Sequence, residues 1–243
     1  MAQTILIFSG KGGTGKSSVT VGLGRALAAM EKRILLVDCD IGLRCLDLLL
    51  GAAQDVVFDW GDLLLERCSA ADAILQGEDG IDLLAAPRRF DPAFDAAGFA
   101  AMLQPLRDRY DFILLDAPAG IGSGLLLAAA GADSAIGVTT PDAVCVRSCC
   151  TAYGALRAQG LTDARLIINL FEVRPVLHGR LLNVDQCIDE TGIRLLGAVP
   201  RDPAVSFCSV TGKAPDEFSP ASLAYERIAR RLCGEKIPLV CDS

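Results

Sequence analysis

The sequence contains no uninterrupted apolar run of about 18 residues, the length that a membrane-spanning helix needs, although 51% of its 243 residues are hydrophobic. This absence excludes a spanning helix. Aromatic residues make up only 5% of the chain, and the Leu, Ile, Val and Ala that dominate instead are typical of buried parallel strands covered by helices. The first predicted strand begins at residue 3, which leaves no room for a signal peptide, so we expect a cytoplasmic protein.

An excess of basic residues is also missing. The chain has 23 Lys and Arg against 30 Asp and Glu, which gives a net charge of −7. Proteins that hold DNA without sequence preference gain most of their affinity from basic residues that displace counterions. The acidic balance therefore does not favour a nucleic-acid partner.

Metal-ligand spacings are absent as well. The ten cysteines include no C-x-x-C pair, and the single histidine, His178, cannot complete a usual zinc site. In a cytoplasmic protein we expect these cysteines to be free thiols.

Strand and helix patterns alternate along the chain. Strands are predicted at 3–8, 33–38, 81–85, 111–116, 134–139, 164–169 and 193–199. Helices are predicted at 16–30, 95–108, 123–130, 142–158, 181–191 and 219–232. This alternation predicts an α/β fold of three α/β/α layers around a mainly parallel, twisted sheet. We expect residues 1–243 to form one domain, in which 51–80 is an elaboration of short helical pieces with Trp60 as a packing residue.

The most informative motif follows the first strand, where the sequence S-G-K-G-G-T-G-K-S-S matches the phosphate-binding pattern G-x-x-x-x-G-K-[ST]. Glycines let backbone N–H groups turn toward a polyphosphate, and the helix that begins near Gly15 points its positive end at the same anion. Lys16 adds a charge for the β- and γ-phosphates, and Ser17 offers a hydroxyl to Mg²⁺. The predicted nucleotide contacts are Gly10, Lys11, Gly12, Gly13, Thr14, Gly15, Lys16, Ser17 and Ser18.

Two further apolar strands end in carboxylates. Asp38 and Asp40 follow the second strand, and Asp116 ends the strand at 111–116. Ligands of open α/β sheets bind at the carboxyl ends of the strands, so these side chains are expected beside the γ-phosphate. Asp116 should hold the Mg²⁺ shell. Of Asp38 and Asp40, one can order water around Mg²⁺ and the other can orient an attacking water.

These motifs resemble those of the ParA/MinD family of ATPases, whose phosphate loop has the form K-G-G-x-G-K-[ST]. The strings D-I-G-L-R-x-L-D-L, from Asp40, and D-x-P-A-G-I, from Asp116, are similar to the MinD branch, which acts in placement of the bacterial division site. The resemblance implies a P-loop NTPase fold and an ATP-dependent homodimer in which Lys11 reaches the nucleotide of the other subunit. It also implies that Asp40 positions the attacking water, that Asp38 serves Mg²⁺ through water, and that Gly120 donates its N–H to the γ-phosphate.

Shorter matches extend the resemblance to about residue 232. They imply that three residues frame the adenine, which are Asn169, Pro200 and Asp202. Partners similar to the MinC and MinE proteins of that branch are implied too. However, Ser148 and Cys150 depart from the usual sequence of the helix on which those partners dock.

The C-terminal stretch is a second departure. Members of the MinD branch bind the membrane as ATP dimers through a basic amphipathic helix at their end. Here residues 233–243 contain Gly234, Pro238 and a single lysine, which do not form a basic helical face. Peripheral association with the inner face of the cell membrane therefore stays open.

Three alternatives remain at this point. A partitioning or cargo-positioning ATPase of the ParA type would use the same loop, but the acidic composition disfavours its DNA contact. A metabolic ATP-dependent ligase, such as the dethiobiotin synthetase group, would need a substrate site beside the γ-phosphate. A nucleotide-binding module without hydrolysis would require Lys11 or Asp40 to be misplaced.

Overall fold

The computed structural model describes residues 1–77 and 80–239, without the side chains of 208–210. Its strands are β1 Gln3–Phe8, β2 Ile34–Asp38, β3 Ile74–Gln76, β4 Ile81–Leu84, β5 Phe112–Asp116, β6 Ser134–Thr139, β7 Ala164–Phe171 and β8 Arg194–Pro200. Its helices are α1 Lys16–Ala28, α2 Leu46–Leu49, α3 Trp60–Leu64, α4 Ala70–Ala73, α5 Ala96–Leu103 with a 3₁₀ turn Gln104–Leu106, α6 Ser123–Ala129, α7 Ala143–Ala158, α8 Val173–Leu177, α9 Val184–Thr191, α10 Pro203–Thr211 and α11 Pro220–Leu232.

The described strands form one sheet in the order β3-β4-β2-β5-β1-β6-β7-β8. Neighbouring strands run parallel except for β3, which pairs antiparallel with β4. The predicted mainly parallel α/β fold is therefore confirmed.

Alternate residues of each strand enter two different cores. Ile5 and Ile7 of β1 pack with α1 and α11 on one face of the sheet, whereas Leu6 and Phe8 belong to the core that includes α5, α6, α7 and α9 on the other face. Because both faces are covered, the central strands are apolar at nearly every position, as buried parallel sheets require. The result is the expected three-layer arrangement.

The central strands place the predicted motifs at one edge of the sheet. Strand β5 lies between β2 and β1, and Asp38 pairs with Asp116 in register. Both carboxylates therefore lie at the carboxyl ends of neighbouring parallel strands. The phosphate loop leaves the same end of β1 and leads into α1.

The sequence patterns missed four elements. Strand β3 has three residues at the sheet edge, which is too short for a periodic signal. Helices α2, α8 and α10 were also not predicted. Asp202 caps α10, and Pro203 occupies its first turn; an acidic cap followed by proline is a helix-start signal that could have identified α10.

The predicted elaboration at 51–80 does contain short helices, α3 and α4, and Trp60 is fully buried as a packing residue. The helix predicted at 181–191 starts later, at Val184, because Asn183 and Gln186 form a capping box there. Parts of two predicted regions, residues 78–79 and 240–243, lie outside the described residues.

A pair of helical glycines tests the packing of α1 on α11. A side chain at Gly22 would overlap the ring of the buried Tyr225, while Gly154 on α7 faces open space. Gly22→Ala should lower the free energy of unfolding by roughly 1–3 kcal/mol through overpacking. Gly154→Ala, the matched control, should raise it by roughly 0.5–1 kcal/mol. Urea unfolding of both variants measures these free energies. A higher unfolding free energy for Gly22→Ala than for the native protein would contradict the α1–α11 contact.

Candidate nucleotide-binding site

The phosphate loop has the backbone geometry of an anion site. Gly15 caps α1 in the left-handed conformation, with φ 79° and ψ 24°, which glycine adopts without strain. Among the described residues, none accepts a hydrogen bond from the amides of residues 11–15. These amides and the start of α1 are therefore available to an anion.

Close packing holds the loop from outside. A Cβ at Gly10 would overlap the backbone carbonyl of Ser148 on α7, so only glycine fits there. On the other side, the Asn169 side-chain amide donates to the carbonyl of Thr14 over 2.8 Å. The loop is thus fixed between α7 and the end of β7.

Lys16 forms a buried ion pair at the centre of the site. Its Nζ lies 2.9 Å from Asp116 Oδ1, and both side chains are more than nine-tenths buried. The hydroxyl of Ser17 donates to Asp116 Oδ2 over 2.6 Å, and that of Thr20 to Oδ1 over 2.9 Å. Thr20 was not predicted, although its i+4 spacing from Lys16 places both on one face of α1.

Asp38 organises the loop that follows β2. Its Oδ1 accepts from the amide of Asp40 over 2.9 Å, and its Oδ2 accepts from the amides of Cys45 and Leu46 over 2.8 and 2.9 Å. Burial raises the pKa of Asp38 to about 6; the hydrogen bond from Leu46 opposes this shift and the charge of Asp116 adds to it. This carboxylate therefore holds both ends of the loop 40–46, which we call switch I.

The two polar side chains assigned to hydrolysis differ in exposure. Asp40 is half-buried, and burial raises its pKa, while the positive charge of Lys16 opposes that shift. Lys11 is exposed, and its side chain forms no hydrogen bond or ion pair with any described residue. Its position leaves the ammonium group free for a partner outside the chain.

Arg44 of switch I forms a buried ion pair with Asp47 of α2 that the sequence patterns did not reveal. Arg44 Nε lies 2.6 Å from Asp47 Oδ2, and both side chains are more than nine-tenths buried. Arg44 has a φ of 47°, a left-handed conformation that costs energy in a residue other than glycine. Its buried Nη2 has no hydrogen-bond partner in the described part of the chain.

Gly120 lies in the loop after β5, which we call switch II (residues 117–122). Its N–H donates to the carbonyl of Ser9 over 3.0 Å, and its φ is 95°. The contact expected between this N–H and a γ-phosphate therefore requires the bond to Ser9 to break.

The residues assigned to the adenine gather around the ends of β7 and β8. Asn169 is buried beside the phosphate loop, and Pro200 ends β8 next to Phe171. Asp202 caps two helices at once, since Oδ1 accepts from the amide of Ala204 and Oδ2 from that of Ala221. Its side chain is thus committed to protein contacts.

The donor set fits a nucleotide with Mg²⁺. Ser17, Asp38 and Asp116 supply hard oxygen atoms at the carboxyl ends of two adjacent strands, the type of ligand that Mg²⁺ prefers. The free amides of the phosphate loop and the ammonium group of Lys16 fit the phosphates. Fold and site together define a P-loop nucleotide-binding protein.

The comparisons with known proteins narrow this class. The family model CbiA, described as the CobQ/CobB/MinD/ParA nucleotide binding domain, matches residues 5–215. The chain belongs to this family.

Among its relatives, the septum site-determining protein MinD of Bacillus subtilis is 37% identical over 246 residues, which cover 98% of this chain and 92% of that protein. The Synechocystis protein of the same name is 35% identical, with coverages of 99% and 92%.

Solved structures agree with the sequence relatives. The Aquifex aeolicus MinC:MinD complex contains a chain with a TM-score of 0.91 and 34% identity that covers 98% of both chains. The Pyrococcus horikoshii MinD structure with Mg-ADP gives a TM-score of 0.83 at 28% identity, with 96% coverage of both. A Borrelia burgdorferi partition protein, with 19% identity and a TM-score of 0.79, shares the fold alone. The predicted resemblance to MinD is confirmed.

Two further findings concern the described residues. No helix among them is both long and apolar enough to cross a membrane. The eight described cysteines are free, and no group of three or more His, Cys, Asp or Glu in this part of the chain could hold a metal ion. Cys208 and Cys241 fall outside the described side chains.

The elevated pKa of Asp38 predicts an unusual pH dependence of stability. Its folded pKa of about 6 exceeds the ordinary value of 3.8, so its contribution is greatest below pH 4 and is lost as the pH rises through 6. The unfolding free energy of the native protein minus that of Asp38→Asn should fall by roughly 2 kcal/mol between pH 4 and 7. Denaturant unfolding across this range measures it.

Asp111 provides a control of opposite sign. Its hydrogen bond from Arg33 lowers the pKa of Asp111 to about 2, so the corresponding difference for Asp111→Asn should rise between about pH 2 and 4 and stay nearly constant from pH 4 to 7. A profile for Asp38 that stays as flat as that of Asp111 between pH 4 and 7 would contradict the assigned environment of Asp38.

Proposed function

We propose that this protein is a MinD-like ATPase that works as an ATP-dependent dimerisation switch in division-site placement. It hydrolyses ATP to ADP and phosphate as a single domain. The chain is similar to MinD proteins over nearly its whole length, and their printed names refer to determination of the septum site. This relationship favours the MinD-like function over the ParA-type alternative.

One observation carries the switch proposal, namely the different situations of the two loop lysines. Lys16 is buried against Asp116, whereas Lys11 is exposed and unpaired among the described residues. A single nucleotide needs only Lys16 for its β- and γ-phosphates. The free ammonium group of Lys11 fits the phosphates of a nucleotide bound to a second subunit, where it would neutralise charge in the transition state.

The other residues have roles that follow from their positions. On ATP binding Lys16 would exchange Asp116 for phosphate oxygens, and Ser17, Asp38 and Asp116 would hold Mg²⁺, the two carboxylates through water. Mg²⁺ supplies positive charge to the phosphates. Asp40 accepts a hydrogen bond from the attacking water and aligns it with the γ-phosphate. Asn169 and the Pro200–Asp202 turn border the adenine.

The switches couple hydrolysis to dimer opening. In the ATP state the amide of Gly120 leaves Ser9 and donates to the γ-phosphate. Loss of that phosphate lets the Gly120–Ser9 hydrogen bond form again, and the closed dimer then loses contacts that depend on both switches.

Partner binding is proposed along α7. The solved MinC:MinD complex of Aquifex aeolicus gives a precedent for a MinC-like partner. On α7, Ser148 bonds within its own helix to the carbonyl of Cys145, and Cys150 is half-buried. We infer that a partner of this chain contacts a different set of side chains on α7.

We place the ATPase cycle in the cytoplasm. Co-sedimentation with anionic vesicles, in ATP and in ADP, tests whether the protein also binds the membrane surface.

The Lys11→Ala variant tests whether Lys16 binds the nucleotide of its own subunit while Lys11 contacts that of the other. Because Lys11 is exposed, its loss should leave the fold unchanged and the ATP affinity within about twofold of the native value. It should abolish both ATP-dependent dimerisation and turnover. Equilibrium binding of a fluorescent ATP analogue, light scattering and phosphate release measure the three properties.

Lys16→Ala is the matched control, since it should lose nucleotide binding itself. Full turnover by a monomeric Lys11→Ala protein would refute the proposed contact between subunits.

A further inference from the structure

Trp60 occupies an unexpected place beside the nucleotide site. It is the only tryptophan of the chain and is completely buried. It begins α3, within the elaboration at 51–80, and Asp59 fixes this start by accepting hydrogen bonds from the amides of Gly61 and Asp62. The indole therefore enters the core from a rigid helical turn.

The indole N–H reaches the strand that carries Asp38. Trp60 Nε1 donates to the backbone carbonyl of Asp38 over 2.9 Å, and both partners are buried. The ring is held between Phe94, with centroids 4.8 Å apart, and Phe99, with centroids 5.2 Å apart. The donor consequently has little freedom to leave its acceptor.

The bonded carbonyl belongs to a peptide unit that is held at both ends. The same unit contributes the N–H of Cys39, which donates to the carbonyl of Asp116 over 3.0 Å. Since a peptide unit is planar and rigid, fixing its carbonyl and its N–H fixes its orientation. Rotation of this peptide unit would redirect the side chain of Asp38 on one side and the backbone that leads to Asp40 on the other.

The carboxylate of Asp38 passes this constraint to switch I. It accepts from the amides of Asp40, Cys45 and Leu46. A change in the direction of Asp38 would therefore displace Asp40, although the indole N–H of Trp60 donates to the Asp38 backbone and not to either carboxylate. The phosphate loop makes none of these contacts, so nucleotide affinity should depend on Trp60 far less than turnover does.

We propose that Trp60 is a positioning residue for hydrolysis, because its indole N–H clamps the Asp38–Cys39 peptide and thereby aims Asp38 and Asp40 at the γ-phosphate. The turnover arm of this proposal rests on the proposed ATPase function. The clamp itself is a property of the protein without nucleotide.

A single tryptophan allows the donor to be removed alone. Full-length protein made with benzothienylalanine carries sulfur in place of the indole N–H at residue 60 and nowhere else. Its kcat should fall on the order of tenfold while KM for ATP stays within about twofold, since a buried carbonyl then lacks its donor. Protein made with 7-azatryptophan, which keeps the N–H, should retain the native kcat.

Two genetic variants separate the hydrogen bond from packing. Trp60→Phe should reproduce the loss of kcat. Met102→Leu, a nearly volume-conserving change in the same buried core, keeps the donor and both ring contacts and should keep kcat within about twofold. Equal kcat values for the native and benzothienylalanine proteins would overturn the proposal. So would an equal loss in Met102→Leu, which would assign the effect to packing.

A spectroscopic arm does not depend on turnover. The ¹⁵N–¹H signal of the Trp60 indole should be protected from hydrogen exchange without nucleotide and should shift between Mg-ADP and Mg-ATP. If the native protein shows no ATP turnover, the proposed function is refuted, but the indole signal still tests the Trp60 hydrogen bond. An indole N–H that exchanges rapidly and whose signal does not shift between the two nucleotides would refute the clamp.

Discussion

The buried ion pair between Lys16 and Asp116 is the interaction on which the site depends. It joins the first turn of α1 to the end of β5, and Ser17 and Thr20 add hydroxyl donors to the same carboxylate. Removal of one partner of such a pair typically costs roughly 3–5 kcal/mol, because the other charge stays buried alone. A polyphosphate with Mg²⁺ is a natural replacement, since it offers an anion to Lys16 and a cation to Asp116. The same two charges, of Lys16 and Asp116, thus stabilise this edge of the sheet and bind the nucleotide.

The sheet order makes this arrangement possible. With β5 between β2 and β1, Asp116 lies beside both the phosphate loop and Asp38. The parallel register then brings Asp38 and Asp116 to one level at the carboxyl edge, where their proximity and burial contribute to the raised pKa of Asp38. The loops that carry Asp40 and Gly120 leave from that edge and can respond to the same phosphate.

Much of this could be predicted from the sequence because the relevant signals are local. The loop from Gly10 to Ser18 and the strand ends at Asp38 and Asp116 are contiguous motifs, and the apolar strands between helical patterns predict the fold. What could not be predicted depends on contacts between distant segments. The indole of Trp60 meets the carbonyl of Asp38 across 22 positions, and the three-residue β3 acquires its structure only by pairing with β4.

We propose that ATP closes two subunits and that Asp40 is needed to open them. The most direct measurement is the solution mass of Asp40→Ala, first with ADP and then with ATP and Mg²⁺. Loss of the carboxylate proposed to align water should trap the closed state, so the mass should double with ATP and Mg²⁺ but not with ADP. A monomer under both conditions, with ATP shown to be bound, would contradict the proposal that this protein is a nucleotide-controlled dimerisation switch.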